Sequence, residues 1–474
     1  MQSSIKRTAY LSFGTQVFTK AINFCLSITF IRFASPEIIG YFTLLITAAQ
    51  MVCSLGRMGT NYAYSILLPN RTNTESKSRL TVTYIVFSSL VSLIIAGIVL
   101  LQVAQNPASE AIQDGATGLF VLLGIIYLYG DSLSEIIWSI HLAEGKFKSV
   151  FLRDVWLSLA KGLIPLIGAL SFGVIGVIGG LCVTCIINNF VAISLFKDIF
   201  SNFEYLEFLK LFSWRDIIKL LKKGIPFFSV PLVSNLILWP LLMEIISSEG
   251  IERLDGLRVA QICAQLVGII GTSLIPILLI KSSQDKQSGK MLHQKSFQAC
   301  WILSIIIYCF YALSDARLLP LIFGQGPAES ALSIARIMVA AAALQGLSQI
   351  PMQRPFATSS LLKLSLTQIG SLIISAFISI TIIHPTSGLV SYASIGLISP
   401  LIIVLCLPYF LRHKLFPDDT PIIPQICISA FLLLTCFSPM NNIIETVGLI
   451  ICIATAIVLN HKFIVSLRPR SLQS

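Results

Sequence analysis

The chain has 474 residues, 55% of them hydrophobic and only 12% charged, with a mean hydropathy of +0.85. No stretch is polar enough for a soluble catalytic domain, so the unit of organisation is the membrane helix. The net charge of +11 is scattered through short polar seams, not gathered into a patch, which excludes nucleic acid as the reason for it.

From Tyr10 to Asn460 one apolar run follows another, each about 20–25 residues long. Such runs are forced into helices because a bilayer offers nothing else to bond the backbone. Fourteen spans are predicted: 10–33, 38–66, 80–104, 116–140, 153–170, 172–196, 225–248, 256–280, 297–320, 328–350, 361–383, 387–411, 422–438 and 441–460. The fold class is an all-α polytopic membrane protein of two six-helix bundles plus two C-terminal helices. Its expected parts are 1–196, an amphipathic cytoplasmic linker at 197–223, 224–411, and 412–474 with the last two spans and a tail.

Lys6 and Arg7 precede the first span, which lacks a small-residue cleavage site and is too long for a signal peptide, so it is read as uncleaved. With the N-terminus in the cytoplasm, the inner seams hold Lys77, Arg79, Lys146, Arg153, Lys219, Lys222, Lys223, Lys286, Lys363, Arg412 and most of the other basic residues. The outer seams hold only Arg32, Arg253, Arg258 and Arg317. Both termini are therefore expected inside. The glycines 173, 176, 179 and 180 mark a tight outer turn with close helix packing. Cys182 and Cys185 form a CxxC within an apolar helix, where packing is the simpler role and no metal site is expected.

The seam from Lys197 to Lys223 interleaves Phe203, Leu206, Trp214, Ile217 and Leu220 with charges, the pattern of a helix on the inner membrane surface or of a linker between bundles. It also marks a repeat boundary. A shift of 215 residues lays Tyr10 on Ile225, Glu37 on Glu252 and Gln50 on Gln265. Paired repeats are a common way to build a transporter. The seventh span carries Pro226, Pro231 and Pro240 with Asn235 between the last two. Pro231, Asn235 and Pro240 form a candidate hinge, with a fixed packing kink as the alternative.

This pattern resembles the multidrug/oligosaccharidyl-lipid/polysaccharide exporter superfamily, and within it the Wzx-type O-antigen flippases. The residues that carry the likeness are Ser35-Pro36-Glu37-Ile38-Ile39-Gly40-Tyr41-Phe42, Ala143-Glu144-Gly145-Lys146-Phe147, Gly224-Ile225-Pro226 and Ala260-Gln261, together with span count and loop lengths. The resemblance implies a flippase of the bacterial inner membrane in lipopolysaccharide or polysaccharide biosynthesis. Its cargo would be an undecaprenyl-pyrophosphate-linked oligosaccharide, moved by alternating access through a cationic central cavity. It also implies contact with membrane lipid and with other glycan-assembly membrane proteins.

Seven ionisable residues fall in the spans: Lys20, Arg57, Lys161 and Arg336 against Asp131, Glu135 and Glu244. Each is costly there unless it meets a partner, water or a substrate. The four cations are candidates to replace water around a crossing pyrophosphate. The competing reading pairs Lys20 or Lys161 with Asp131 or Glu135, which share one helical face, and lets Arg57 snorkel to the headgroups. The three acids are candidate proton or sodium sites for coupling to an ion gradient; no cofactor is expected. An enzyme is disfavoured, since the outer loops are short and no nucleotide loop, nucleophile elbow or metal signature occurs. The alternatives are a multidrug exporter, whose cationic cargo would favour an acidic cavity, a membrane glycan polymerase, and a scaffold in glycan assembly.

Overall fold

A computed structural model describes residues 2–68, 71, 73–105, 116–144, 146–194, 211–268, 286–358, 361–383, 388–411, 428, 432, 435, 436 and 442–460. These are helical apart from short turns, and nine helices among the described residues are long and apolar enough to cross a membrane. The expected seam at 197–210, the end of the eighth expected span and most of the thirteenth lie outside them. The chain divides into two compact units, Met1–Arg258 and Val259–Ser474.

The first unit holds α1 (Gln2–Phe33), α2 (Pro36–Gly56), α3 (Thr60–Leu67), α4 (Thr74–Ala104), α5 (Ala116–Ala143), α6 (Phe147–Ser194) and α7 (Trp214–Glu249). The start of α2 is written in its sequence. Ser35 Oγ accepts the Ile38 amide, and Pro36 sits where a helix has no use for an amide hydrogen.

The second expected span is not continuous. It breaks between α2 and α3 because Met58 (φ +46°) and Gly59 (φ +70°) both adopt the left-handed conformation. Gly59 also lies backbone-to-backbone against Gly224, so a Cβ there would strike the Gly224 carbonyl and come within 3.1 Å of the Phe228 amide. Gly59→Ala should therefore cost about 2–4 kcal/mol, from the left-handed backbone and the overlap together. The check is thermal unfolding of purified protein in detergent, with Gly97→Ala as a control expected to melt as the parent does, because nothing lies within 4 Å of its added carbon.

Span five and span six form one long element, α6, folded back on itself at Gly173 (φ 60°, ψ −136°). Gly176 lies against the backbone of Gly168, and Gly180 against Ile164 and Pro165. Gly173 and Gly179 of the glycine cluster have open space around them. Cys182 donates to the Leu123 carbonyl (3.0 Å), and Cys185 packs on α5 beside Gly130.

α7 runs through Pro226, Pro231 and Pro240 without interruption and starts at Trp214, inside the expected linker. The Asn235 amide donates back to the Pro231 carbonyl (2.7 Å) and across to Ser54 Oγ (3.1 Å). Trp239 Nε1 donates to Gln102 (2.8 Å), and Phe227 stacks on Tyr62. Behind this helix Tyr64, Tyr84, Ile136, Trp138, Ile140 and Leu220 form a buried cluster, with the two tyrosine rings stacked at 4.8 Å and their hydroxyls bonded to Thr81 and Ser139. By contrast, Leu90, Ile94, Ile98 and Leu101 leave one stripe of α4 exposed, as a lipid-facing helix requires.

The second unit contains α9 (Lys286–Phe323), α10 (Gln325–Thr358), α11 (Leu361–Ile378), α12 (Gly388–Leu411) and α13 (Asn442–Leu459); α8, at 254–268, begins in the first. Small residues let α11 and α12 approach closely: Ser371, Ser375, Ser391 and Ser394 are buried, and Ser371 Oγ meets Ser399 Oγ at 3.1 Å. A π-turn at Ser379–Ile383 ends the α11 span. Gln298 on α9 donates to Asn460 (2.6 Å), and Tyr308 bonds Thr435 (3.0 Å), so polar pairs tie the C-terminal residues to α9.

Candidate functional site

Two groups of charges lie within the helices of the first unit, and they differ in one respect: one is neutralised and the other is not. The first group is built on α5. Asp131 and Glu135 are four residues apart and so share a face. Lys161 of α6 places Nζ 2.6 Å from Asp131 Oδ1, and the Cys53 thiol of α2 approaches the other oxygen at 3.9 Å. Glu135 lies between two guanidinium groups, Arg153 of α6 through Nη2 and Arg57 through Nη1 at 3.9 Å. Arg57 also donates to the Cys53 carbonyl (2.7 Å), which fixes it at the break after α2. Arg153 reaches Asp154 at 3.0 Å and lies over the Trp138 ring, 5.4 Å from its centroid. Arg57, Arg153 and Lys161 are thus matched by Asp131, Glu135 and Asp154.

The second group is Lys20 of α1 and Arg258, near the start of α8, both half-buried. Burial disfavours the charge on Lys20, and the like charge of Arg258 adds to that. Arg258 places its guanidinium over the Phe42 ring, 5.2 Å from the centroid. No carboxylate among the described residues pairs with either. A cation partly withdrawn from water is raised in energy, and a bound anion would lower it.

In the second unit Arg336 of α10 forks onto Asp315 of α9, with Nη2 3.1 Å from Oδ1, and also donates to the Ala312 carbonyl (3.1 Å). Glu244 is exposed near the C-terminal end of α7. Of the expected cavity cations, then, Lys161, Arg57 and Arg336 stand beside carboxylates, and Arg57 does not simply snorkel. Lys20 pairs with neither Asp131 nor Glu135.

Four participants are not among the charges expected within the spans. Arg153 was assigned to an inner seam, yet its side chain is only 8% exposed. Asp154, Asp315 and Arg258 fall inside predicted spans, 153–170, 297–320 and 256–280, yet are not among the seven charges expected there. That was the available signal: a charge inside the drawn boundaries needs a partner whatever the adjoining loop looks like.

Comparison with known proteins gives the fold a context. No protein-family model matches the sequence, and no curated protein does. Solved structures do match. A lipid II flippase, MurJ, in an inward closed conformation superposes with a TM-score of 0.68 at 16% identity, over 96% of this chain and 100% of that one. The chain folds as these transporters do. A MOP-superfamily transporter from Pyrococcus furiosus gives a TM-score of 0.58 at 13% identity over 86% of this chain and 96% of the other. An outward-facing multidrug-resistance MATE transporter gives 0.57 at 13% identity over 91% and 97%.

Proposed function

We propose that the chain is an inner-membrane flippase with both termini in the cytoplasm. It carries an undecaprenyl-pyrophosphate-linked oligosaccharide, from O-antigen or a related polysaccharide, to the outer leaflet by alternating access. The observation that supports this most directly is the unneutralised Lys20–Arg258 pair. Two half-buried cations, neither with a carboxylate among the described residues, suit the phosphoryl groups of such a cargo, and such charge-assisted bonds are the strong kind. The likeness in fold to a lipid II flippase agrees with an amphiphilic, anionic cargo.

In this reading Lys161, Arg57 and Arg336 hold helices together and do not touch cargo, since each already has its carboxylate. A proton or sodium ion reaching Asp131 or Glu135 would have to displace those cations, so coupling through these acids is a competition and not a simple uptake. A cationic drug would meet two like charges at Lys20 and Arg258, which makes multidrug export the weaker reading.

The test is leaflet-resolved extraction of lipid-linked glycan from cells with and without the chain. Complete repeat units should build up on the cytoplasmic face when it is missing. Units that reach the outer leaflet but fail to polymerise would indicate an enzyme instead, and unchanged lipid-linked glycan would favour drug export.

A further inference from the structure

The first turns of α7 sort their side chains onto three separate arcs. With about 100° between successive residues, Asp216, Ile217, Leu220 and Gly224 fall on one side, and all four are buried in the first unit. Asp216, 1% exposed at its side chain, is gripped there by Arg71 (2.8 Å) and Arg79 (3.2 Å). Trp214, Ile218 and Ile225 fall together on a second, narrow arc and are 72%, 64% and 57% exposed. The third arc runs from Lys222 through Arg215 and Lys219 to Lys223, all exposed. It carries no acid of its own: the one carboxylate between Trp214 and Lys223 is Asp216, on the buried side, which Lys219 alone of these four cations reaches, at 3.9 Å.

The position of these turns along the helix decides what faces them. α7 is 36 residues long. The stretch from Ile225 to the exposed Glu244 corresponds to about 30 Å of helix, one hydrocarbon thickness. The ten residues before Ile225 therefore lie at the level of the headgroups. Hydrocarbon would penalise the four cations, and water would leave Trp214 and Ile218 bare. Only an interface satisfies both.

We propose that this exposed face of α7 is a binding surface for anionic phospholipid. The headgroup phosphate would sit on Arg215, Lys219, Lys222 and Lys223, with the upper acyl chain against Trp214, Ile218 and Ile225. The lipid is a resident of the leaflet at that end of the helix, separate from any cargo at Lys20 and Arg258, so the surface stands or falls independently of the flippase reading. Because the opposite face is clamped through Asp216, the lipid would hold the base of α7 from outside as the arginines hold it from inside.

The experiment uses the full chain in phosphatidylcholine vesicles containing a trace of spin-labelled phosphatidylglycerol or spin-labelled phosphatidylcholine, with the fraction of motionally restricted label as the readout. Because basic side chains at the headgroup level attract anionic lipid, a preference for phosphatidylglycerol of at least about tenfold is expected. It should fall to near unity in the variant Arg215→Gln/Lys219→Gln/Lys222→Gln/Lys223→Gln and weaken in high salt. It should persist when Lys219, Lys222 and Lys223 are changed to arginine. A control that neutralises Lys77, Lys146, Lys295 and Lys363 should keep most of it. If the fourfold variant does not fold, Lys222→Gln/Lys223→Gln alone should lower the preference several-fold. An unchanged preference in either α7 variant, or an equal loss in the control, would overturn the proposal. So would displacement of the labelled lipid by soluble polyglutamate at matched charge, because that would mark a protein-docking surface.

Discussion

Changing Lys20 and Arg258 together to glutamine should cut translocation of a pyrophosphate-linked lipid by about a hundredfold or more. Each substitution removes one charge-assisted bond, of about 1.5–3 kcal/mol, and about 1.4 kcal/mol is tenfold. Single variants should lose about tenfold, and Lys20→Arg should retain most of the rate because the charge survives. Stability should move the other way. Neither side chain has a carboxylate partner among the described residues, so the glutamine variants should melt no lower than the parent. Translocation in reconstituted vesicles and melting in detergent together check the pair. A double variant that transports at the parental rate would remove the anion site, and one that fails to fold would make the pair structural.

The paired group should behave in the opposite manner. Glu135→Gln strands Arg57 and leaves Arg153 with Asp154 alone, and breaking a buried ion pair from one side costs about 3–5 kcal/mol. Much less folded protein should be recovered from the membrane, with a clearly lowered melting temperature. Asp131→Asn should do the same by stranding Lys161. Here a remedy exists, because Lys161 has a single acidic partner within 4 Å among the described residues. Asp131→Leu with Lys161→Met should recover most of the loss, whereas no single change can compensate Glu135→Gln, which takes a carboxylate from two arginines. A double variant less stable than either single one would mean that the contact in this structure is not what holds Lys161.

The sequence read well where the physics is one-dimensional. Apolar run length gave the helices, and the four-residue spacing of Asp131 and Glu135 placed them on one face. The same spacing raised the possibility of internal pairing without saying which cation was involved. That choice depends on how α5 meets α2 and α6, and no run of hydropathy encodes it. Arg153 illustrates the difficulty: it sits at the edge of a span, where a seam and a buried site look alike in sequence, and only Trp138 and Glu135 opposite it tell them apart. The break after α2 was half legible. Gly59 is a residue type that permits a left-handed turn, but Met58 is not, and its conformation is set by the contact of Gly59 with α7. Arg258 falls so near the start of its predicted span that in sequence it reads as part of the outer seam.

The turn at Gly173 has a bearing on how the protein is made. Its two arms are joined by so few residues, and touch backbone-to-backbone at Gly168 and Gly176 so near the turn, that neither arm is set up to be threaded into the bilayer alone. As they leave the ribosome they are suited to enter as a preassembled hairpin, in which small residues already supply the packing that apolar surroundings cannot drive. A bulky residue at Gly168 or Gly176 would then act during biogenesis, on the share of nascent chains that reach their full topology, before any cargo is encountered.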